Sequence, residues 1–168
     1  MIIQNDFLPI NLLEKISNSD LWFELASEGY KWQNNKTAPN NVWETIIDQI
    51  WPNKEVKIAG FEYWANICKP KNELGWHQDK DEKLYEEQDI TISPVLSAVL
   101  YGYPHAVKGG YLEIEPSNKL NKTTERIAPE YNRLVMFNPT RWDRVMPIKE
   151  GYRFSFQVNI WEQKLTHV

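Results

Sequence analysis

His77-Gln78-Asp79, in the run GWHQDKDE, is the triplet in this chain best suited to hold a metal ion. On a strand, residues i and i+2 project to the same side, so one imidazole and one carboxylate face a common centre. Where the strand ends, both tips can converge on a cation at about 2.0–2.2 Å. Two such ligands are too few, and a third should arrive from another strand. A mixed nitrogen and oxygen set with open positions suits non-haem Fe(II). Alone, the H-x-D triplet is common and carries little weight. The remaining histidines are His105 and His167, the latter in the tail. One cysteine, Cys68, excludes an internal disulfide and a multi-cysteine metal site.

The elements that must position this triplet are legible from periodicity. A short strand is expected over Ile2 to Leu8. Pro9 can open a helix as its first residue, running to about Ile16 with Leu12, Leu13 and Ile16 on one face. A second helix starts after Asn41 as cap, carries Val42, Ile46, Ile47 and Ile50 as an apolar stripe, and stops at Pro52. From residue 56 the pattern turns to strands: Val56 to Ala65, Gly75 to His77, Pro94 to Tyr103, Tyr111 to Ile114, Arg133 to Phe137, Arg144 to Ile148 and Tyr152 to Trp161. The last of these alternates, with Phe154, Phe156, Val158 and Ile160 on one side and Ser155, Gln157 and Asn159 on the other. Helices followed by a run of short strands predict a mainly β fold with N-terminal helices, best matched by a jelly roll (a double-stranded β-helix).

Bulk composition narrows the function classes. A chain of 168 residues without linker or repeat is expected to form one domain. A net charge of −4 argues against a nucleic-acid-binding face, and Lys69-Pro70-Lys71 is too short a basic run to reverse that. No apolar run approaches the length of a membrane span, and the first residues lack the pattern of a signal peptide. A soluble, cytoplasmic protein is the expectation; oligomeric state is not readable. Eight Trp and eight Tyr exceed what a small core needs, so some should line a cleft.

The segment FNPTRWDRVMPIKEGYRFSFQVNIWE resembles the C-terminal signature of the iron(II)/2-oxoglutarate oxygenases, in particular their prolyl-hydroxylase-like branch. In that family an H-x-D pair is followed by a distal histidine and then by a basic residue in a Gly-x-Arg setting. Gly151-Tyr152-Arg153 matches the last element, and Val145-x-Pro147-Ile148 the apolar run before it. Leu96 to Gly110 looks like the central hairpin, and Asp6-Phe7-Leu8-Pro9 the usual opening. The resemblance implies Fe(II) as metal and 2-oxoglutarate as cosubstrate. Arg153 would anchor the far carboxylate of 2-oxoglutarate through its planar, permanently charged fork, with help from the Tyr101 hydroxyl. Asn66 stands where the family often places cosubstrate contacts, and Trp64 is a candidate substrate contact beside it. The implied activity is hydroxylation of an amino-acid side chain, prolyl or other, in a free small molecule or a peptide.

One position departs from the family pattern. Where the distal histidine is expected, two residues before Val145, the chain has Asp143. Asp143 can be the third ligand, giving a His-Asp-Asp face. Alternatively the site is degenerate and the protein is a binding module, or a histidine has been changed to aspartate; a cupin-like metal enzyme without 2-oxoglutarate is a further alternative. Asp143 as ligand is preferred, because Trp142-x-Arg144-Val145 keeps the surrounding pattern and two carboxylates side by side call for a cation. The resemblance also implies that the strand bearing Asp143 lies between the H-x-D strand and the strand ending near Tyr103. His105 would then overhang the site as a substrate contact. Trp76 should point away from the metal. The acidic run from Asp79 to Glu87 should be a solvated loop, or a cover over the mouth.

Overall fold

The alternation on the last strand sets the layers of the molecule, whose computed structural model describes residues 1–52, 57–116 and 124–166. In chain order, the first part comprises β1 (Ile2–Gln4), α1 (Ile10–Lys15), α2 (Ser19–Glu28), β2 (Lys31–Asn34) and α3 (Val42–Ile50). Then come β3 (Gly60–Cys68), β4 (Leu74–His77), α4 (Glu82–Gln88), β5 (Leu96–Tyr101), β6 (Val107–Gly109) and β7 (Leu112–Ile114). The last group is β8 (Glu125–Ile127), β9 (Arg133–Phe137), β10 (Asp143–Val145), β11 (Ile148–Gly151) and β12 (Arg153–Trp161). One antiparallel sheet has the order β1-β9-β5-β12-β3-β2, a second β4-β10-β7-β8, and β11 pairs with β6.

Phe154, Phe156, Val158 and Ile160 turn outward from the larger sheet and pack under α1, α2 and α3, against Leu12, Ile16, Trp22, Leu25, Trp43, Ile46 and Ile47. The opposite face of the same strands looks into the space between the two sheets. There Val99, Tyr101, Val135 and Phe137 meet Leu112, Ile114 and Ile127 of the smaller sheet. This double-sheet arrangement is the expected jelly roll. Because side chains alternate, every second residue of β3, β5 and β12 is delivered to the interior.

The second helix forms as expected: the Asn41 side chain accepts from the Glu44 backbone N–H at 2.9 Å, and the apolar stripe lies on the buried face. Asn41→Ala should lower stability by about 1 kcal/mol, read as a shift in denaturant midpoint with unchanged slope.

Several expectations need correction. Pro9 is the cap of α1 rather than its first residue. Helix α2 and strands β2 and β8 lie where no element was expected; α2 starts at Asn18, whose side chain accepts from the Asp20 N–H. The acidic run holds a short helix, α4, because Asp81 caps it by accepting from the Leu84 N–H at 3.1 Å. The expected strand from Arg144 to Ile148 is two strands, β10 and β11, in different sheets, broken at Met146-Pro147 where proline has no N–H to donate. Val56 and His167 lie outside the described residues.

Candidate metal and cosubstrate site

His77 ends β4, and its register partner on β10 is Asp143, so the tertiary pairing alone puts a carboxylate opposite the imidazole. His77 Nε2 stands 3.7 Å from Asp143 Oδ2 and 3.9 Å from Asp79 Oδ1. The ring's other nitrogen, Nδ1, lies 3.0 Å from the Gly75 carbonyl, and donating to it leaves the Nε2 lone pair facing the two carboxylates. Asp79 is oriented in turn: its Oδ2 accepts from the Ser97 hydroxyl at 3.1 Å, and Ser97 is 2.7 Å from Asn159 Oδ1. The next residue, Gln78, donates through Nε2 to the Thr140 carbonyl and ties the turn after β4 to the turn before β10. Asp143 is buried, and desolvation raises its carboxyl to about 7, opposed by His77 and reinforced by Asp79. A divalent cation here would relieve both the burial and the repulsion.

Arg153, the first residue of β12, lies deeper between the sheets with 0% of its surface exposed. Its Nε donates to the Gly110 carbonyl at 3.0 Å, Nη1 to the Ser155 hydroxyl at 2.8 Å and Nη2 to the Tyr101 hydroxyl at 3.0 Å. All three partners are neutral, and among the described residues no carboxylate pairs with this guanidinium. A buried cation without an acid costs several kcal/mol of lost hydration, which an incoming anion would offset. Gly110, at φ +65°, makes the arrangement possible: a Cβ there would come within 2.5 Å of Ile148 Cδ1 and 3.1 Å of Arg153 Cδ. Gly110→Ala should therefore destabilise by about 1–3 kcal/mol and weaken anion binding at Arg153, measured by thermal melting with and without 2-oxoglutarate.

A cavity of about 880 Å³ opens onto the His77, Asp79 and Asp143 side chains. It is lined by His77, Asp79 and Asp143, by Trp64 and Asn66 of β3, by Gln157 and Asn159 of β12, and by α4 on its outer side. Arg153 lies one layer beyond its wall, since Gln157 Nε2 reaches the Ser155 hydroxyl at 3.3 Å and Ser155 holds Arg153.

A family model described as the 2OG-Fe(II) oxygenase superfamily matches residues 63–161, more than half of the chain. The chain belongs to this superfamily. Solved structures of similar fold include a prolyl-4-hydroxylase from Pseudomonas putida, 19% identical with a TM-score of 0.64, covering 97% of this chain and 88% of that one. Another is a viral collagen prolyl hydroxylase of Paramecium Bursaria Chlorella virus-1 in its 2OG complex, 16% identical with a TM-score of 0.59, covering 97% and 96%. A third, from Trichoplax adhaerens, is a prolyl hydroxylase in complex with a hypoxia inducible factor peptide fragment; it is 10% identical with a TM-score of 0.57, covering 96% and 83%. No curated protein matches the sequence.

Membership in the 2OG-Fe(II) oxygenases implies Fe(II) and 2-oxoglutarate. The donor chemistry fits: one imidazole nitrogen with a free lone pair and two carboxylates converge at one mouth, and a buried guanidinium with no acid partner among the described residues lies inside. The fit is not closed. Among the described residues no three His, Cys, Asp or Glu side chains stand in ready-made metal geometry. Neighbouring donors around one ion are about 3 Å apart when each bond is about 2.1 Å, so His77 and the aspartates, at 3.7 and 3.9 Å, would have to draw together to share one ion.

Within this member of the 2OG-Fe(II) oxygenase superfamily the expected residues sort clearly. His77, Asp79 and Asp143 come together, and Tyr101 meets Arg153. Asn66 and Trp64 line the same cavity. Trp76 points away as expected, onto the outer face, with the Arg144 guanidinium 4.6 Å from its ring centre. His105 does not join the site. The strand beside β10 is β7, not β5, and β5 belongs to the other sheet. β5 begins beside Asp79 at Ser97 and runs toward Arg153 at Tyr101, so His105 follows the far end, packed against Tyr103 and Phe154. Sequence reasoning missed Ser97 and Glu62 as interior polar residues. Ser155, Gln157 and Asn159 were visible only as the non-apolar side of β12.

Proposed function

We propose that this chain is an Fe(II)- and 2-oxoglutarate-dependent dioxygenase that hydroxylates an amino-acid side chain, prolyl or other, in a small molecule or a peptide. The observation that carries this reading is the buried Arg153, bound to Tyr101 and without an acid partner among the described residues, inside the same barrel as His77, Asp79 and Asp143. His77, Asp79 and Asp143 would hold Fe(II), and Arg153 with Tyr101 would hold the far carboxylate of 2-oxoglutarate, bidentate recognition for which a guanidinium is well shaped. When bound, the iron and cosubstrate supply O2 activation and oxidative decarboxylation to succinate, coupled to hydroxylation of an unactivated C–H bond. The chain's own residues orient and shield. Ser97 fixes the Asp79 carboxylate, Gly75 fixes the His77 ring, and Val99, Leu112, Phe137 and Val145 give the cavity an apolar wall that limits water.

A non-catalytic module is the second reading, favoured by the aspartate at position 143. Succinate release from wild type with Fe(II), 2-oxoglutarate and O2 separates the two. Succinate from wild type supports a working His-Asp-Asp centre. Release only from Asp143→His assigns wild type to the degenerate or altered class. Absence of both succinate and 2-oxoglutarate binding in either protein overturns the oxygenase reading.

A further inference from the structure

The outer wall of the cavity is a helix that core packing does not hold. None of the seven residues of α4, all of them described, is buried, and Leu84 alone is half-buried. A helix shorter than about 12 residues is marginal in water by itself, because nucleation orders several residues before the first hydrogen bond forms. Yet Glu82, Lys83, Glu86 and Glu87 all line the cavity, so something places them there. Lys80 lies 3.5 Å from the Tyr85 ring centre and 3.7 Å from Glu82, but these contacts fasten the loop to itself.

Asp81, two residues after Asp79 and 1% exposed, joins α4 to the rest of the molecule. Its N–H donates to the Ile92 carbonyl at 2.9 Å, closing the base of the loop that carries the helix. Its Oδ1 accepts from the Leu84 N–H, and its Oδ2 accepts from the Thr166 N–H at 2.9 Å and the Thr166 hydroxyl at 2.8 Å. Thr166 is itself held in place. Its neighbour Leu165 is buried, and the segment leaves β12 at the buried Trp161. β12 lies between β5 and β3 and begins at Arg153. One strand therefore carries the anion anchor at its start and leads into the tether of the cavity wall at its end. A buried carboxylate depends on its donors more than an exposed one does, so withdrawing one of them is felt directly at α4.

We infer that the Asp81–Thr166 clasp positions α4 over the cavity and sets how fast ligands enter and leave the metal and cosubstrate site. Asp81 and Thr166 are positioning residues, since neither is among the residues lining the cavity and both act through α4. The inference rests on the oxygenase reading of that cavity and adds the element that controls access to it. A wall tethered at one buried group alters association and dissociation together, whereas damage to the site itself alters affinity.

The test combines hydrogen exchange with stopped-flow binding of 2-oxoglutarate to the Mn(II)-loaded full chain. Thr166→Val keeps the backbone N–H and removes the hydroxyl donor. In this variant the α4 amides should exchange about tenfold faster, while those of β12 exchange as in wild type. Association and dissociation rates of 2-oxoglutarate should both rise by about threefold or more, with the dissociation constant within about twofold of wild type. Thr166→Ser, which keeps a hydroxyl, should behave as wild type. Asp81→Ala removes the carboxylate altogether and should enlarge each change; Thr166→Val carries the test if that variant does not fold. Unchanged exchange in α4, or faster exchange with both rates unchanged, overturns the inference while 2-oxoglutarate binding stays intact. So does a weaker affinity that arises from dissociation alone, because that is loss of the site and not of its wall. Failure of the wild type to bind 2-oxoglutarate overturns the oxygenase reading and the inference with it.

Discussion

Arg153→Met should abolish 2-oxoglutarate binding without lowering the melting temperature of the ligand-free protein. The binding loss follows from removing a fully desolvated charge partner, which typically costs about 2–5 kcal/mol, or roughly 30- to several-thousand-fold in affinity. The stability result follows from the surroundings of Arg153. Its partners Gly110, Ser155 and Tyr101 are neutral, so methionine removes a buried, uncompensated charge rather than breaking an ion pair. The loss of three hydrogen bonds opposes that gain and brings the net change near zero. Arg153→Lys should retain charge but lose the fork, leaving binding weakened by about 10- to 100-fold. Melting curves of the Mn(II)-loaded protein with and without 2-oxoglutarate measure both effects. A methionine variant still stabilised by 2-oxoglutarate as strongly as wild type would remove Arg153 from the cosubstrate site.

The metal-free protein should lose stability as pH rises from about 4 to about 7, the reverse of ordinary acid denaturation. Burial raises the Asp143 carboxyl from 3.8 to about 7 and the Glu62 carboxyl from 4.5 to about 7. In that window the folded chain keeps protons that the unfolded chain releases, so each increase in pH favours unfolding. The stabilisation is fully present below the unfolded values and lost as pH passes the folded ones. One unit corresponds to about 1.4 kcal/mol, so the combined effect is several kcal/mol, up to about 8. Asp143→Asn should flatten much of the slope. If ionised Asp143 holds the metal as proposed, Mn(II) should reverse it, since metal competes with the proton more successfully as pH rises. Melting temperatures at pH 5, 6, 7 and 8, in EDTA and in Mn(II), give the comparison. Parallel EDTA and Mn(II) profiles would sink Asp143 as a metal ligand.

Both expectations depend on residues whose importance was unequally visible in the chain. His77 and Asp79 stand two residues apart at a strand end and Arg153 two residues after Gly151, and although neither pattern carries weight alone, their combination in the oxygenase-like signature was enough to single them out. The layering was equally local: Phe154, Phe156, Val158 and Ile160 alternate with polar residues, and that pattern by itself assigns one face to the core and the other to the interior. Helix α3 announced itself through its cap and stripe.

What only the tertiary structure decided was which distant groups face one another. Asp143 opposes His77 because β10 pairs with β4, a register set by packing between sheets rather than by any short-range signal. The same pairing places β7, not β5, beside β10, and so removes His105 from the site. Ser97, Asn159 and Glu62 come from three strands that are adjacent only after the sheet has formed, and burial, not sequence spacing, raises the carboxyl of Glu62. Sequence alone determined the chemistry the strands carry, because side-chain direction repeats every two residues. Folding decided where that chemistry meets, because strand order and register are properties of the whole sheet.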